Sequence, residues 1–507
     1  MAPEVKRIAI VTCSIPVGYD GTAMKKVLGP GSVFLIIIFL GLFAMAARNV
    51  TDPDVWWHLK TGEYIVQHKS VPHTDPFSYT RAGQPWVAQE WLTELLLFEV
   101  DRVAGMAGLI VLFAAITLGS FYLLYLRCGP DPFVAGVAIL YGAWVTMPVL
   151  GVRPQIISFL LTSLWLLILE RSDLDPKILW WTLPLTVLWV NLHAGFALGL
   201  ALSAFFIAGE AFEDLLQRSP AKTSRLKTCV LVLLLDLLLV PLNPNGLRMF
   251  SYPIETLRSA AMQNYIAEWA SPNFHRAEYL PFLLLALGTF AVLGWSKIRV
   301  RARDLLLLVV SLYAGLCSIR MIPLFVLVTI PLICRGLEGR STANGQMLRR
   351  PSQPHPLLNG VIVLALAAFG LAHVVQVIRR QPQAEAQLFP RAAVAFLQTH
   401  PPGRLFNHYD WGGYLIWKLY PSTCVFIDGR ADLYGEQMLD QFAETYQFKG
   451  DWKKALQDWS IETVIVPPDS ALATGLRNSP DWSISYEDKR ALVLSASNSG
   501  KKTVAGF

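Results

Sequence analysis

The sequence predicts a polytopic α-helical membrane protein of about eleven transmembrane helices, with a soluble α/β domain at its C-terminal end. Three observations predict it. Only 16% of the 507 residues are charged and 53% are hydrophobic, against roughly 25% charged residues in soluble domains. Apolar runs approaching the roughly 17–25 residues that cross a bilayer recur from residue 31 to residue 378. After Gln381 the charge rises and the apolar runs shorten to strand length. The net charge of +6 does not indicate nucleic acid, because the basic residues collect in short loops between apolar runs. Six scattered cysteines, Cys13, Cys128, Cys229, Cys317, Cys334 and Cys424, form no C-x-x-C pair. Neither a disulfide framework nor a zinc site is indicated.

Taken in order, residues 1–30 read as a cytosolic extension, and either Met1 or Met24 is its start. Lys25 and Lys26 precede the first apolar run, which ends in Ala44-Met45-Ala46. That tripeptide could serve a signal peptidase, but the many later runs favour an uncleaved first span. Hydropathy windows place spans at 31–47, 103–126, 132–150, 155–170, 178–192, 195–212, 229–242, 279–295, 304–318, 320–334 and 357–378. With the N-terminus inside, Arg127, Arg171, Lys177, Arg225, Arg301, Arg303 and Arg335 all fall on the inner side. The outer segments are then 48–102, 151–154, 191–194, 243–278, the turn at Arg320 and everything after 378. The charge asymmetry supports this orientation.

The linker 335–356 is basic and contains Pro and Ser. Residues 379–495 alternate strand and helix, which predicts a mostly parallel sheet with an antiparallel edge. Strands are expected at 404–406, 424–427 and 463–466, with a hairpin at 482–486 and 491–495. Helices are expected at 391–399, 411–418, 436–446, 452–459 and 471–477. Residues 496–507 read as a disordered tail.

The stretch 49–91 stands apart. It is polar, rich in turn residues and dense in Asp, His and Trp, and a loop this long is more often functional than connective. Asp52-Pro53-Asp54 with Trp56, Trp57 and His58 is its sharpest feature. A carboxylate there could act as a general base or a metal ligand. On a helix Asp54 and His58 share a face and could hold one divalent cation, Mg2+ or Mn2+, or a phosphate-bearing substrate. The plainer alternative makes Asp52 or Asp54 a helix cap and the Trp pair part of an interfacial belt. Further polar residues cluster on the same outer side: Arg153 and Gln155 in one loop, His193 in another, Asn243, and Arg320 between two apolar runs. Ionisable groups at membrane depth usually face a cavity or a partner. Arg153 and Arg320 are candidate phosphate anchors, since guanidinium offers phosphate a charged fork. His193 is a candidate ligand or proton carrier. In the tail, Gly412-Gly413-Tyr414 and Asp428-Gly429-Arg430 follow strands; helix capping and a tight turn explain them without nucleotide binding.

A short N-terminus and first span, a long outer loop opening on an Asp motif, many spans and an outer C-terminal domain resemble the GT-C superfamily of membrane glycosyltransferases. The likeness is to its protein mannosyltransferase and lipopolysaccharide-core glycosyltransferase branch, and covers roughly residues 31–378. It also extends to bacterial membrane proteins that combine Asp-Pro-Asp-x-Trp-Trp-His with a Gly-Gly-Tyr…Asp-Gly-Arg tail. The resemblance implies a polyprenyl-phosphate-linked sugar donor and a lipid, glycan or protein acceptor. It implies an acidic catalytic residue in the first outer loop, here Asp54 with Asp52 second. It further implies a bacterial cytoplasmic membrane. Many members carry a second acidic motif in the next outer loop, where this chain has Arg153 and Gln155. Glu90 is the candidate replacement; otherwise the chemistry is metal-independent or the chain is not a transferase. The substrate-contacting set is then His58, Trp57, Arg153, Gln155, His193 and Arg320. The rival readings are a transporter or flippase of lipid-linked glycans, or a non-catalytic envelope assembly protein.

Overall fold

A computed structural model describes residues 29–217, 223–296, 298–341 and 355–497. The expected N-terminal extension before residue 29, most of the basic linker and the tail beyond residue 497 lie outside the described residues.

A helix occupies each of the eleven apolar stretches. Seven are long and apolar enough to cross a membrane, among them Trp91–Tyr125, Pro154–Arg171 and Pro356–Leu388. The others fall short by length or composition. Thr182–Leu192 has 11 residues, about 17 Å at 1.5 Å per residue. The helix beginning at Trp91 starts well before the expected span, and Gly105 breaks it with φ of 61°. Its first section belongs to the site described below.

Connections alternate between two ends of the bundle. At one end, basic and acidic side chains pair. Arg303 and Arg225 both meet Asp173 and Glu210, Arg301 meets Asp173, and Arg127 meets Glu170. At the other end lie the first long loop, the turns near Arg153, His193 and Arg320, and the C-terminal domain.

In that domain the sheet has the order β1-β2-β4-β3, with β1 Leu405–Asn407, β2 Thr463–Val466, β3 Trp482–Glu487 and β4 Leu492–Ala496. Only β1 and β2 are parallel; the other two pairs are antiparallel. The expectation of a mostly parallel sheet is therefore corrected. It counted residues 424–427 as a strand, and they are not one. Their backbone is claimed elsewhere. Val425 exchanges bonds with Phe77 and Tyr79 of the first loop. The Asn407 side chain accepts from Phe426 N and donates to Ile427 O. The expected helix at 436–446 begins earlier, as Ala431–Tyr446, with Gly435 at φ 71° inside it.

The domain and the first loop form one continuous packing unit. Trp56 packs edge-on against Tyr414 and Phe389 with ring centroids 5.0 and 5.4 Å apart. Both members of the Trp pair are buried, packed on Tyr414 and Phe389 or bonded to Asp54 rather than exposed as an interfacial belt requires.

Candidate active site

Asp54 sits at the start of the helix Val55–His68. Its side chain does not cap that helix. Instead Trp57 Nε1 donates to Asp54 Oδ1 at 3.1 Å, and Asp52 Oδ1 accepts from the Asp54 backbone N–H at 2.9 Å. Two tail glycines make this placement possible. A β-carbon at Gly429 would run into Asp54 Oδ1, and one at Gly413 would run into the Pro53 carbonyl. Burial, then the adjacent Asp52 charge, push the Asp54 carboxyl up to about 7, against the Trp57 hydrogen bond and Arg153. Arg153 is itself committed, pairing with both Asp52 and Glu268.

Behind Asp54 lies a second buried group. Glu90 Oε1 is 3.4 Å from His193 Nε2, and Glu90 Oε2 is 3.6 Å from His58 Nε2. His58 Nδ1 is 3.3 Å from Glu94 Oε1. The His193 tautomer follows from its partners. Its Nδ1 receives the Gly195 N–H at 2.9 Å and lies 2.8 Å from Ser158 Oγ. Ser158 Oγ already accepts from Trp189 Nε1 at 2.8 Å, so its own proton goes to His193. Nδ1 is thus an acceptor and Nε2 carries the proton toward Glu90. Arg320 Nη2 lies 3.5 Å from that Nε2. Two donors do not bond, so this contact leaves the guanidinium uncommitted. No carboxylate pairs with Arg320 among the described residues. Burial pushes Glu90 up to about 8 against the pull of Arg320, pushes His58 down to about 3 and holds His193 well below its ordinary value.

Arg320 opens onto a cavity of about 120 Å³. One wall is polar, with Arg153, Gln155, Ser158, His193 and Glu268; the rest is apolar, including Phe159, Leu324 and Leu327.

Of the expected site residues, the structure gathers Asp52, Asp54, Glu90, Arg153, Gln155, His193 and Arg320 at one end of the bundle. Trp57 and His58 are placed differently. Trp57 holds Asp54, and His58 lies between Glu90 and Glu94 rather than beside Asp54. The two side chains expected to share a cation therefore engage different partners. No group of three or more His, Cys, Asp or Glu side chains is placed to hold a metal among the described residues. Sequence reasoning missed Glu94, Ser158, and Glu268 as the partner of Arg153. Glu94 was findable as a carboxylate one helical turn after Glu90 ahead of an apolar run. The others meet the site only through the tertiary fold.

No family model and no curated protein matches the sequence. Solved structures do match. The Archaeoglobus fulgidus oligosaccharyltransferase AglB, in complex with an inhibitory peptide and a dolichol-phosphate, superposes with a TM-score of 0.55 at 11% identity, over 85% of this chain and 68% of that one. An Archaeoglobus fulgidus oligosaccharyltransferase tethered to an acceptor peptide gives 0.56 at 10% identity, over 87% and 70%. At these identities the likeness is one of fold. The chain shares the overall fold of these oligosaccharyltransferases, in keeping with the architecture expected from its sequence. It is also similar to apo ArnT from Cupriavidus metallidurans, with a TM-score of 0.50 at 11% identity over 94% of this chain and 98% of that one.

Proposed function

We propose that the protein is a membrane glycosyltransferase that moves a sugar from a polyprenyl-phosphate-linked donor to an acceptor hydroxyl. The observation that carries this reading is the cavity beside Arg320. It joins a half-buried guanidinium that pairs with no carboxylate among the described residues to an apolar wall, and a lipid phosphate needs both. A polyprenyl chain lies along Phe159, Leu324 and Leu327, and the phosphate meets Arg320. AglB, whose structure holds a dolichol-phosphate, shares the fold. The inside location of the N-terminus and the outward location of the C-terminal domain follow the charge asymmetry of the loops. A bacterial cytoplasmic membrane follows the resemblance.

In the proposed reaction Asp54 takes the proton of the acceptor hydroxyl. The oxygen then bonds to the anomeric carbon while that carbon's bond to phosphate oxygen breaks, and the anomeric centre inverts. Polyprenyl phosphate departs with the electron pair, and Arg320 meets its charge. A base with its pKa near 7 suits a reaction at neutral pH. Glu90, held above 7, keeps its proton at neutral pH and donates a hydrogen bond to the leaving phosphate. Arg153, saturated by Asp52 and Glu268, sets the charge around Asp54 rather than binding phosphate first.

The test uses purified protein in detergent and a panel of radiolabelled polyprenyl-phosphate sugars. Wild type is expected to bind and consume one donor. Asp54→Asn is expected to bind it without consuming it, and Arg320→Ala to lose binding. Unchanged consumption by folded Asp54→Asn removes Asp54 from the mechanism. No binding across the panel overturns the reading in favour of the assembly alternative.

A further inference from the structure

A second cavity, of about 210 Å³, lies beside Tyr252 and Asp432. Its walls come from three places: Trp86 and Val87 of the first loop, Tyr252 and Thr256 of the helix Arg248–Arg258, and Asp432 of the C-terminal domain. A hydrogen-bonded partition separates it from the arginine cavity. Gln89 Nε2 donates to Glu90 Oε1 at 3.3 Å and to the Tyr252 hydroxyl at 3.1 Å. Tyr252 in turn donates to Asp432 Oδ2 at 3.0 Å. The chain of contacts runs from His193, which lines the arginine cavity, through Glu90 and Gln89 to Tyr252 and Asp432, which line the second. The second cavity is rich in hydroxyl, carboxylate and guanidinium groups and sits on an indole, the combination that suits a polyol.

The helix Arg248–Arg258 has two faces. Tyr252, Glu255, Thr256 and Arg248 line the cavity. Phe250, Ile254 and Leu257 are exposed, and their spacing of four and three places them on the opposite face. Leu247, just ahead of the helix, is also exposed. The helix follows the apolar helix Thr223–Leu239 through a short turn at Asn243 to Gly246. An exposed apolar face on a helix that directly follows an apolar helix suits the bilayer interface.

We infer that this cavity binds the acceptor, and that the acceptor is membrane-anchored: a glycolipid whose sugar hydroxyls enter between Tyr252 and Asp432 while its lipid tail lies against Phe250, Ile254 and Leu257. The inference rests on the proposed glycosyl transfer for the word acceptor, but its binding site stands without turnover. A free peptide has no use for the apolar face, and a soluble sugar has none either.

The test reads binding. The full chain in phosphatidylethanolamine–phosphatidylglycerol nanodiscs is exposed to a diglucosyl diacylglycerol bearing a photoactivatable diazirine at its headgroup, and cross-linked peptides are mapped by mass spectrometry. Labelling is expected within residues 248–258 and beside Asp432. It should fall at least fivefold in both Asp432→Asn and Tyr252→Phe, and persist in Arg320→Ala, which loses only the donor. Ile254→Glu should weaken labelling by the lipid probe while leaving competition by free diglucose unchanged. Labelling no higher than with an unglycosylated diacylglycerol diazirine overturns the inference. So does competition by a hydroxyl-bearing peptide in preference to the glycolipid, which would assign the cavity to a protein acceptor. Failure of the donor assay with Arg320→Ala-independent labelling intact would instead fault the glycosyl-transfer reading alone.

Discussion

Two arginines, one buried and one half-buried, sit at the same end of this molecule and have opposite characters. Arg430 is saturated. Its Nε and Nη2 bond both oxygens of Asp428 at 2.7 and 2.6 Å, and its Nη1 bonds Asp75 Oδ1 at 2.7 Å. Its guanidinium lies 4.6 Å from the centre of the Trp86 ring. Asp75 also accepts from Phe77 N, Ser78 N and Ser78 Oγ, and Asp428 accepts from Tyr434. Arg320 lies 5.7 Å from the centre of the Trp269 ring but pairs with no carboxylate among the described residues, and nearby Glu90 Oε2 and Glu94 Oε2 are buried without hydrogen bonds. Burying an unpaired charge or acceptor is costly. A fold tolerates it where a ligand will supply the missing partner. The saturated cluster therefore reads as structure and the unsaturated one as a site.

The sharpest way to break this comparison is to remove each arginine. Arg430→Ala strands two buried carboxylates and is expected to cost about 3–5 kcal/mol of stability, seen as loss of monodisperse folded protein and a lower unfolding midpoint. Arg320→Ala is expected to leave that midpoint unchanged or raised while abolishing donor binding. Equal destabilisation by the two would collapse the distinction.

Asp54→Asn comes next, with transfer expected to fall by roughly 10²–10⁴-fold, the usual contribution of a general base, and folding intact. Gly429→Ala is a subtler probe of the same carboxylate. Its methyl displaces Asp54, and a misplacement of about 1 Å costs on the order of 10²-fold. If activity survives in Gly429→Ala with the fold preserved, the tail does not position Asp54.

The smallest effects are in pH. The Asp54 carboxyl must be ionised to act, so transfer should rise through pH 7. Asp52 raises that value, so Asp52→Asn should move the acid limb to lower pH. Stability should run the other way. Glu90 is held near 8, above its ordinary value, so the native state keeps a proton the unfolded chain has lost. Its contribution is full below about pH 4 and declines as pH rises toward 8. Glu90→Gln should flatten that part of the unfolding curve; an unchanged slope in melts between pH 5 and 9 would refute the assignment.

Sequence alone was sufficient for the bundle, because apolar length is a local property and each of the eleven expected stretches is a helix. It was sufficient too for most of the polar residues near the site, since ionisable groups beside apolar runs are conspicuous whatever the fold. It could not show which of them are satisfied. Arg153 and Arg320 look alike in sequence, yet Glu268 arrives from a loop more than a hundred residues away to neutralise the first and not the second. Nor could it separate Trp57 the holder of Asp54 from Trp57 the substrate contact. Residues 424–427 have the composition of a strand, but the first loop and Asn407 take their hydrogen bonds. The glycines at 413 and 429 look like turns until Pro53 and Asp54 are seen pressed against them. Hydropathy and helix length are set along the chain. Charge pairing, hydrogen-bond saturation and close backbone approach depend on distant segments meeting, and only the tertiary structure decided those.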